Sequence, residues 1–235
     1  RYVESGMLDA GITGKDWTLE NESDVAVVAN LIYSKVSRKP ARWVVAVPQD
    51  SGISTVEQLH GKRVATELVN VSRRFFESRG IEVDISFSWG ATEAKAVSGL
   101  ADAIVEITET ESTIRANGLK VIHELMQSNV QLIANHAAMA DPWKANKIGN
   151  IAMLLQGALR ADRIVGLKMN VPASRLDEVI GLLPSLNAPT VAQLYKTEWF
   201  SVETVVSEQQ VRDLVPTLKQ AGAEGIIEYA LNKVI

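Results

Sequence analysis

The chain has 235 residues, enough for one large domain or for two to three small ones. Hydrophobic residues make up 46% and charged residues 22%, proportions typical of a globular protein. The absence of cysteine excludes disulfides, thiolate metal sites and cysteine nucleophiles, and the net charge of −4 argues against a nucleic-acid-binding protein. No apolar run has the length of a membrane span and no signal-peptide pattern opens the chain, so we expect a cytoplasmic location.

Strand-like and helix-like segments alternate from the start of the chain to residue 135. Six apolar segments are predicted to be strands: residues 8–13, 42–48, 62–68, 84–89, 102–107 and 129–135. The segments between them, such as TVEQL and VSRRFFESRG, have the spacing of amphipathic helices. Strands that alternate with helices predict parallel sheets and an α/β fold.

A short pattern occurs twice along this part of the chain. SGMLDA at residues 5–10 recurs as SGLADA at residues 98–103, and each copy leads into a predicted strand that ends in a threonine-bearing loop. The repetition indicates two similar α/β lobes that face a cleft, although four matches in six positions also occur by chance.

The last third of the chain has a different order of elements. Asp141-Pro142 predicts the start of a long linking helix, because aspartate suits the N-cap and proline suits the first turn. Residues 163–235 then show the order βαββαβ, with RIVGLKMNVP, VAQLYK, FSVETVVS and AEGIIEYAL as the strands. This order is that of the ferredoxin-like split motif.

The strongest candidate site lies in GLADAIVEITETESTIRANGL, residues 99–119. Asp102 and Glu106 lie on one face of a predicted strand, because side chains two apart return to the same side. The loop 108–113 then offers hydroxyls and backbone N–H groups at the start of a predicted helix, which suits a phosphate. Two carboxylates beside a phosphate site suit a phosphorylated sugar such as phosphoribosyl diphosphate, whereas the alternative is a buried strand with a capped turn.

Several segments resemble the ATP phosphoribosyltransferase family in its long form. DAIVEITETESTIRANGLKVI is similar to the phosphoribosyl-diphosphate signature of that family. Other segments resemble it in the same order: residues 4–17, 61–81, 88–95 and 148–159, followed by a regulatory domain. The resemblance implies a two-lobed catalytic core of the periplasmic-binding-protein type, with residues 1–46 and 121–160 in lobe I and its linking helix. It places residues 47–120 in lobe II and residues 161–235 in the regulatory domain.

The resemblance also implies a reaction and its regulation. The family transfers the phosphoribosyl group of phosphoribosyl diphosphate to N1 of ATP, releases diphosphate, depends on Mg²⁺ and is feedback-inhibited by L-histidine. It implies dimers that assemble to hexamers. The alternative is a non-catalytic small-molecule-binding protein or a regulatory paralogue with the same fold.

The resemblance assigns roles to particular residues, while the metal ligands stay unknown. We expect Glu106, with Asp102, to bind the ribose hydroxyls. The other expected contacts are Glu109, Thr110, Glu111, Ser112 and Thr113 for phosphoribosyl diphosphate, Thr13, Gly14, Asp16 and Glu93 for the nucleotide cleft, and Asn170, Leu186, Thr190 and Gly225 for histidine. Other roles fit some of these residues equally: helix capping for the hydroxyls, a strand entrance for Asp102, a glycine turn at 13–16 and a helix-dipole contact for Glu93.

Basic side chains and histidines give weaker signals. Arg63, Arg73 and Arg74 are weak candidates for neutralising phosphate charge. The three histidines have no metal-binding spacing and are predicted to be surface or packing residues: His60, His123 and His136.

The chain departs from the family pattern in three ways. Glu111 stands where the family has glycine, so a carboxylate is expected to repel the phosphate unless it points to solvent, the loop rearranges or Mg²⁺ bridges the charges. Glu111→Gly is therefore expected to tighten phosphate binding. Asn170 stands where family members carry aspartate, which predicts weaker histidine binding. The family's opening segment, with a first strand and a phosphate-contacting loop, precedes the point that corresponds to Arg1, so the activity of the chain as given is uncertain.

Overall fold

The computed structural model describes residues 1–32, 40–184 and 188–235. They form two units, Arg1–Ala152 and Met153–Ile235. The strands are β1 Ala10–Gly14, β2 Ala26–Leu31, β3 Ala41–Pro48, β4 Arg63–Thr66, β5 Asp84–Phe87, β6 Ala103–Thr108, β7 Leu119–Ser128, β8 Val130–Ala134, β9 Ile164–Pro172, β10 Thr190–Gln193, β11 Trp199–Ser207 and β12 Glu224–Ala230. The helices are α1 Lys15–Glu20, α2 Val69–Glu77, α3 Thr92–Val97, α4 Ser112–Ala116, α5 His136–Ala140, α6 Pro142–Ala161, α7 Leu176–Leu182 and α8 Glu208–Gln220.

The first unit contains two sheets, with strand orders β1-β8-β2 and β5-β4-β6-β3-β7. Strands joined through a helix run in the same direction, as in β4–α2–β5. However, β8 lies antiparallel between β1 and β2, and β3 lies antiparallel between β6 and β7. The prediction of parallel sheets was therefore wrong for these positions, because each of the two sheets contains a strand of opposite direction.

Strand β3 carries the core of the five-stranded sheet. Trp43 and Val45 pack on one face against Phe76 of α2, whereas Val44 packs on the other face with Ile114 of α4. All these side chains are buried, because β3 has neighbours on both edges and both faces. Strands β2 and β7 were not predicted from the sequence.

The division of the first unit into lobes remains a prediction. Residues 41–46 and 121–128, which the resemblance placed in lobe I, belong to strands β3 and β7 of the five-stranded sheet. A lobe boundary that followed sheet membership would group them with residues 47–120.

The two copies of the SG-x-x-DA pattern share a left-handed glycine and a strand that begins at the same position. Gly6 and Gly99 have φ angles of 76° and 74°, and the strands β1 and β6 begin at the alanines that end the two copies. In each copy the aspartate forms an ion pair with a basic side chain: Asp9 with Lys144 at 2.7 Å and Asp102 with Arg63 at 3.1 Å.

The second unit confirms the predicted βαββαβ order. Its sheet has the strand order β10-β11-β9-β12, and every neighbouring pair is antiparallel. Helices α7 and α8 contribute Val179 and Leu218 to a buried cluster with Leu167, Met169 and Val202 of the sheet.

Helix α6 begins as predicted. The Asp141 carboxylate accepts the N–H groups of Trp143 and Lys144 at 2.9 and 3.0 Å. Within the described ranges, no helix is long and apolar enough to cross a membrane.

Candidate functional site

The carboxyl ends of β4, β5 and β6 form one edge of the five-stranded sheet, where ligands bind in open α/β folds. Glu67 directly follows β4 and accepts the Gly90 N–H at 3.2 Å. Glu93 lies in the first turn of α3, after β5. Glu106 lies near the end of β6. Glu67 and Glu93 are near enough to Glu106 to raise its pKa, and Glu67 was not predicted from the sequence.

Glu106 has an unusual electrostatic environment. Burial raises the pKa of its carboxyl, and the nearby Glu93 and Glu67 raise it further. The Ile107 N–H donates to this carboxylate at 3.1 Å and partly offsets the effect on the pKa. A partly buried carboxylate among like charges favours ligands that donate hydrogen bonds, as the hydroxyls of a ribose do.

Asp102 lies at the opposite end of β6. Its carboxylate binds the Arg63 side chain at 3.1 Å and the Arg63 N–H at 2.9 Å, and these hydrogen bonds lower its pKa. Two residues four apart on a strand are roughly 13 Å apart, too far for one ribose to contact both. The contacts of Asp102 match the strand-entrance alternative, and its ribose role has no support in this geometry.

The loop 108–113 is closed by side-chain hydrogen bonds. The Glu111 N–H donates to Thr108 Oγ1 at 2.8 Å, and the hydroxyls of Thr110 and Ser112 are 3.0 Å apart. Helix α4 follows directly and is anchored in the core by Ile114. The hydroxyl groups expected to contact a phosphate are thus gathered in one short turn.

Glu111 has a conformation and partners that the sequence did not predict. Its φ is 61°, the left-handed region that glycine adopts most easily. Its carboxylate binds Arg42 at 2.7 Å and Arg115 at 2.9 Å, and its side chain is only 19% exposed. These arginines lower the pKa of Glu111, Arg42 more strongly. The side chain therefore does not point to solvent, because Arg42 of β3 pairs with Thr108 of β6 and so lies beside the loop.

Asp16, expected at the nucleotide cleft, is a buried structural residue. It is 4% exposed, accepts Trp43 Nε1 at 2.7 Å and donates its N–H to Ser128 Oγ at 3.2 Å. These bonds join α1 to β3 and β7 of the other sheet. A Cβ on Gly14 would lie 2.0 Å from Asp16 Oδ1, so the glycine leaves room for this carboxylate.

Helix α1 also contacts the start of α2. The Glu20 carboxylate accepts the N–H groups of Asn70 and Val71 at 2.8 and 2.9 Å, and Arg74 donates to Leu19 O at 2.7 Å. The end of β1, with Thr13 and Gly14, is thereby held near the carboxyl ends of β4 and β6. The predicted nucleotide and sugar segments therefore belong to one region of the first unit.

The predicted basic groups differ in their environment. Arg63 and Arg74 make the contacts already described, so their side chains have structural partners. Arg73 is exposed and donates to Asn70 Oδ1 at 3.0 Å. Arg42 and Arg115 are closer to the loop, where both bind Glu111, and neither was predicted from the sequence.

The residues predicted to bind histidine are not all close to one another in the structure. Asn170 of β9 and Gly225 of β12 are neighbours, since a Cβ on Gly225 would lie 3.5 Å from Asn170 Nδ2. Thr190 lies on β10, three strands away and therefore roughly 14 Å from β12. Leu186 lies outside the described residues.

The histidines and acids offer no metal cage in the described part of the chain. No group of three or more histidine or carboxylate residues there could hold a metal ion. His136 lies 3.0 Å from Asp24, the His123 ring lies 5.2 Å from the Phe75 ring, and His60 accepts the Glu82 N–H.

Comparisons with known proteins cover nearly the whole chain. A family model described as ATP phosphoribosyltransferase matches residues 1–157, and one described as HisG, C-terminal domain, matches residues 161–233. An ATP phosphoribosyltransferase from Desulfosudis oleivorans is 65% identical over 235 residues, which are 100% of this chain and 81% of that protein.

Solved structures confirm the predicted fold class. The ATP phosphoribosyl transferase (HisG:HisZ) complex from Thermotoga maritima matches with a TM-score of 0.58 and 29% identity, over 68% of this chain and 74% of that one. Tv2483 bound to L-arginine shares the fold at a TM-score of 0.50 and 14% identity, over 68% of this chain and 64% of that one. The α/β core shares its fold with that transferase, and a ferredoxin-like domain follows it. With both family models in chain order and a close relative along its whole length, the chain belongs to the ATP phosphoribosyltransferase family.

Proposed function

We propose that the chain transfers the phosphoribosyl group of phosphoribosyl diphosphate to N1 of ATP and releases diphosphate, the first step of histidine biosynthesis. The observation that supports this most directly is the edge formed by Glu106 and the loop 108–113. It puts a partly buried carboxylate next to a turn rich in hydroxyls, in a chain of this family.

In the proposed complex, Glu106 accepts hydrogen bonds from the ribose hydroxyls, and Thr110, Ser112 and Thr113 contact the 5′-phosphate. N1 of adenine attacks ribose C1 as the bond to diphosphate breaks, so the reaction needs no nucleophile from the protein. Its rate depends on positioning and on neutralising the charge of the leaving group. The end of β1, at Thr13 and Gly14, and Glu93 of α3 line the nucleotide side, while Asp16 supports this region from within.

The proposed cofactor is Mg²⁺. It suits hard oxygen ligands and is commonly held by one or two carboxylates together with substrate phosphates, so Glu106 and Glu67 provide donors of the right chemistry. When bound, it would stabilise negative charge on the diphosphate. Such a mode needs no three-residue protein cage, which is consistent with the described residues.

Diphosphate release tests this proposal. The chain should bind phosphoribosyl diphosphate in a calorimetric titration and release diphosphate when ATP and Mg²⁺ are added. Glu106→Ala should sharply weaken phosphoribosyl-diphosphate binding, because the ribose hydroxyls lose their acceptor. Binding without diphosphate release would favour the non-catalytic paralogue, and unchanged binding by Glu106→Ala would contradict the ribose contact.

We also propose feedback inhibition by L-histidine and assembly into dimers and hexamers. Asn170 and Gly225 are neighbours in the second unit, and asparagine gives a neutral hydrogen bond where aspartate would give a charge-assisted one. Asn170→Asp should therefore tighten histidine binding about fivefold, or roughly 1 kcal/mol. Calorimetric titration of the full chain with histidine tests this. If the chain self-associates but histidine binding gives no heat, the second unit has a role in assembly only.

The proposed location is the cytoplasm, where ATP and phosphoribosyl diphosphate are available. Cell fractionation with antibody detection of the chain tests it, and recovery in a membrane or secreted fraction would contradict it.

A further inference from the structure

The backbone turn at Glu111 needs an explanation in its own right. With φ at 61°, Glu111 adopts a conformation that costs a residue with a Cβ on the order of 1 kcal/mol. A non-glycine residue keeps such a conformation only when its surroundings hold it there. Here three bonds hold it: the N–H bond to Thr108 Oγ1 and the two ion pairs of the carboxylate.

The two arginines connect Glu111 to different elements. Arg42 lies on β3, where its backbone pairs with Thr108 of β6, and it also binds Glu124 of β7 at 3.3 Å. Arg115 lies one helical turn after Glu111 in α4. Arg42 is held from both sides and its side chain is 29% exposed, so it is an anchored partner rather than a free surface cation.

The charges in this network alternate. From α4 to β7 they follow the order Arg115, Glu111, Arg42 and Glu124, so two positive and two negative groups cancel. Glu111 therefore adds no uncompensated negative charge to the loop. The repulsion of phosphate expected from the sequence is correspondingly reduced.

We infer that Glu111 is a positioning residue, whose carboxylate ties the phosphate loop to Arg42 and Arg115 and so gives the loop its binding shape in the absence of ligand. Thr110 and Ser112 flank Glu111, so the direction of their hydroxyls depends on its turn. A loop that is already ordered loses less conformational freedom when it binds. The inference rests on the proposed function, because the ligand of the loop is taken to be phosphoribosyl diphosphate.

The test compares Glu111→Gln with the unmodified full chain. Glutamine keeps the length of the side chain and removes its charge. The KM for phosphoribosyl diphosphate should rise about tenfold, as expected for loss of a charge-assisted hydrogen bond, while the KM for ATP stays unchanged. Arg42→Gln should raise this KM similarly. The double variant should have a KM no higher than that of the more impaired single variant, since both substitutions remove the same Arg42–Glu111 ion pair.

Glu178→Gln is the matched control. It removes an exposed carboxylate from its ion pair with Arg175 in the second unit, and both KM values should stay unchanged. Arg42→Lys keeps the charge without the planar fork and should give an intermediate KM for phosphoribosyl diphosphate.

Hydrogen exchange without substrate tests, independently of catalysis, whether the ion pairs of Glu111 order the loop. Amides of residues 108–116 should exchange faster in Glu111→Gln than in the unmodified chain or in Glu178→Gln, while the thermal transition shows that all variants are folded. Unchanged exchange, or a KM for phosphoribosyl diphosphate that stays the same or falls, would overturn the inference. If the unmodified chain neither binds phosphoribosyl diphosphate nor releases diphosphate, the proposed function is contradicted instead. Hydrogen exchange alone would then show whether Glu111 orders the loop.

Discussion

At the scale of single residues, the carboxylates of the first unit differ in what surrounds them. Asp102 and Glu111 have arginine partners, whereas Glu106 has other carboxylates nearby. Asp16 is buried and is stabilised by an indole N–H. A buried or crowded carboxylate without a cation costs stability, so Glu106 is the one whose position is best explained by a ligand.

The raised pKa of Glu106 predicts a pH-dependent stability. Because the folded-state pKa lies above the unfolded value, protonated Glu106 favours the folded state, and that contribution is lost as pH rises through the folded-state pKa. Glu106→Gln should therefore be more stable than the unmodified chain at pH 7, by about 1 kcal/mol, with a smaller difference near pH 4. Urea unfolding at both values measures this. An equal difference at both would show that the carboxyl titrates normally.

Gly14 predicts a steric effect at one position. Gly14→Ala should lower the free energy of unfolding by roughly 1–3 kcal/mol, because the new Cβ would displace the Asp16 carboxylate from Trp43. Gly149→Ala in α6 is the control, where no atom lies within 4 Å of the added Cβ and a gain of about 0.5–1 kcal/mol is expected. Chemical denaturation measures both. Equal stability of Gly14→Ala and the unmodified chain would refute the close approach.

At the scale of elements, helix α2 depends on a partner from another element. Leu68, the residue before the helix, makes no side-chain cap, and the N–H groups of the first turn donate to Glu20 at the end of α1. A carboxylate at this position also interacts favourably with the helix dipole. One side chain thus caps α2 and joins it to the segment that follows β1.

Glu20→Ala should lower the free energy of unfolding by about 1–3 kcal/mol, since two backbone N–H groups lose their acceptor. Glu22→Ala is the matched control: its side chain is 72% exposed and pairs with Arg74, so a change within about 0.5 kcal/mol is expected. Guanidinium unfolding compares the two. If both variants lose the same small amount, the cap contributes nothing specific.

At the scale of the whole molecule, each of the two units has a hydrophobic core of its own. Among the described residues, the buried cluster of the second unit consists of residues after the linking helix, including Leu167, Val179 and Leu218. A sheet covered on one face by two helices can bury enough apolar surface to fold independently.

We therefore expect residues 153–235 to fold when produced alone. Calorimetry should show one cooperative transition with a heat-capacity change of about 1 kcal/mol/K. Leu218→Ala, at a fully buried position, should lower its stability by roughly 2–5 kcal/mol. A broad, non-cooperative transition of the isolated unit would show that its core needs the first unit.

Local patterns in the sequence determined most of the elements, although not β2 and β7. Alternating and helical periodicities predicted the βαββαβ order of the second unit, and the residues that end β6 pointed to the carboxylate and hydroxyl edge. Asp141 capped α6 as its residue type predicts. These features depend on neighbours within a few residues, so the sequence contains them directly.

Partners far apart in the chain were decided only by the tertiary structure. The pairing of Glu111 with Arg42 depends on β3 entering the sheet antiparallel beside β6, and the burial of Asp16 depends on Trp43 of that strand. Every strand has the same backbone N–H and C=O groups for pairing, so the periodicity of the sequence does not specify which strands are neighbours in a sheet. Whether a charged residue such as Glu111 repels a ligand or positions a loop therefore depends on which strands pack together, and the local sequence does not specify that packing.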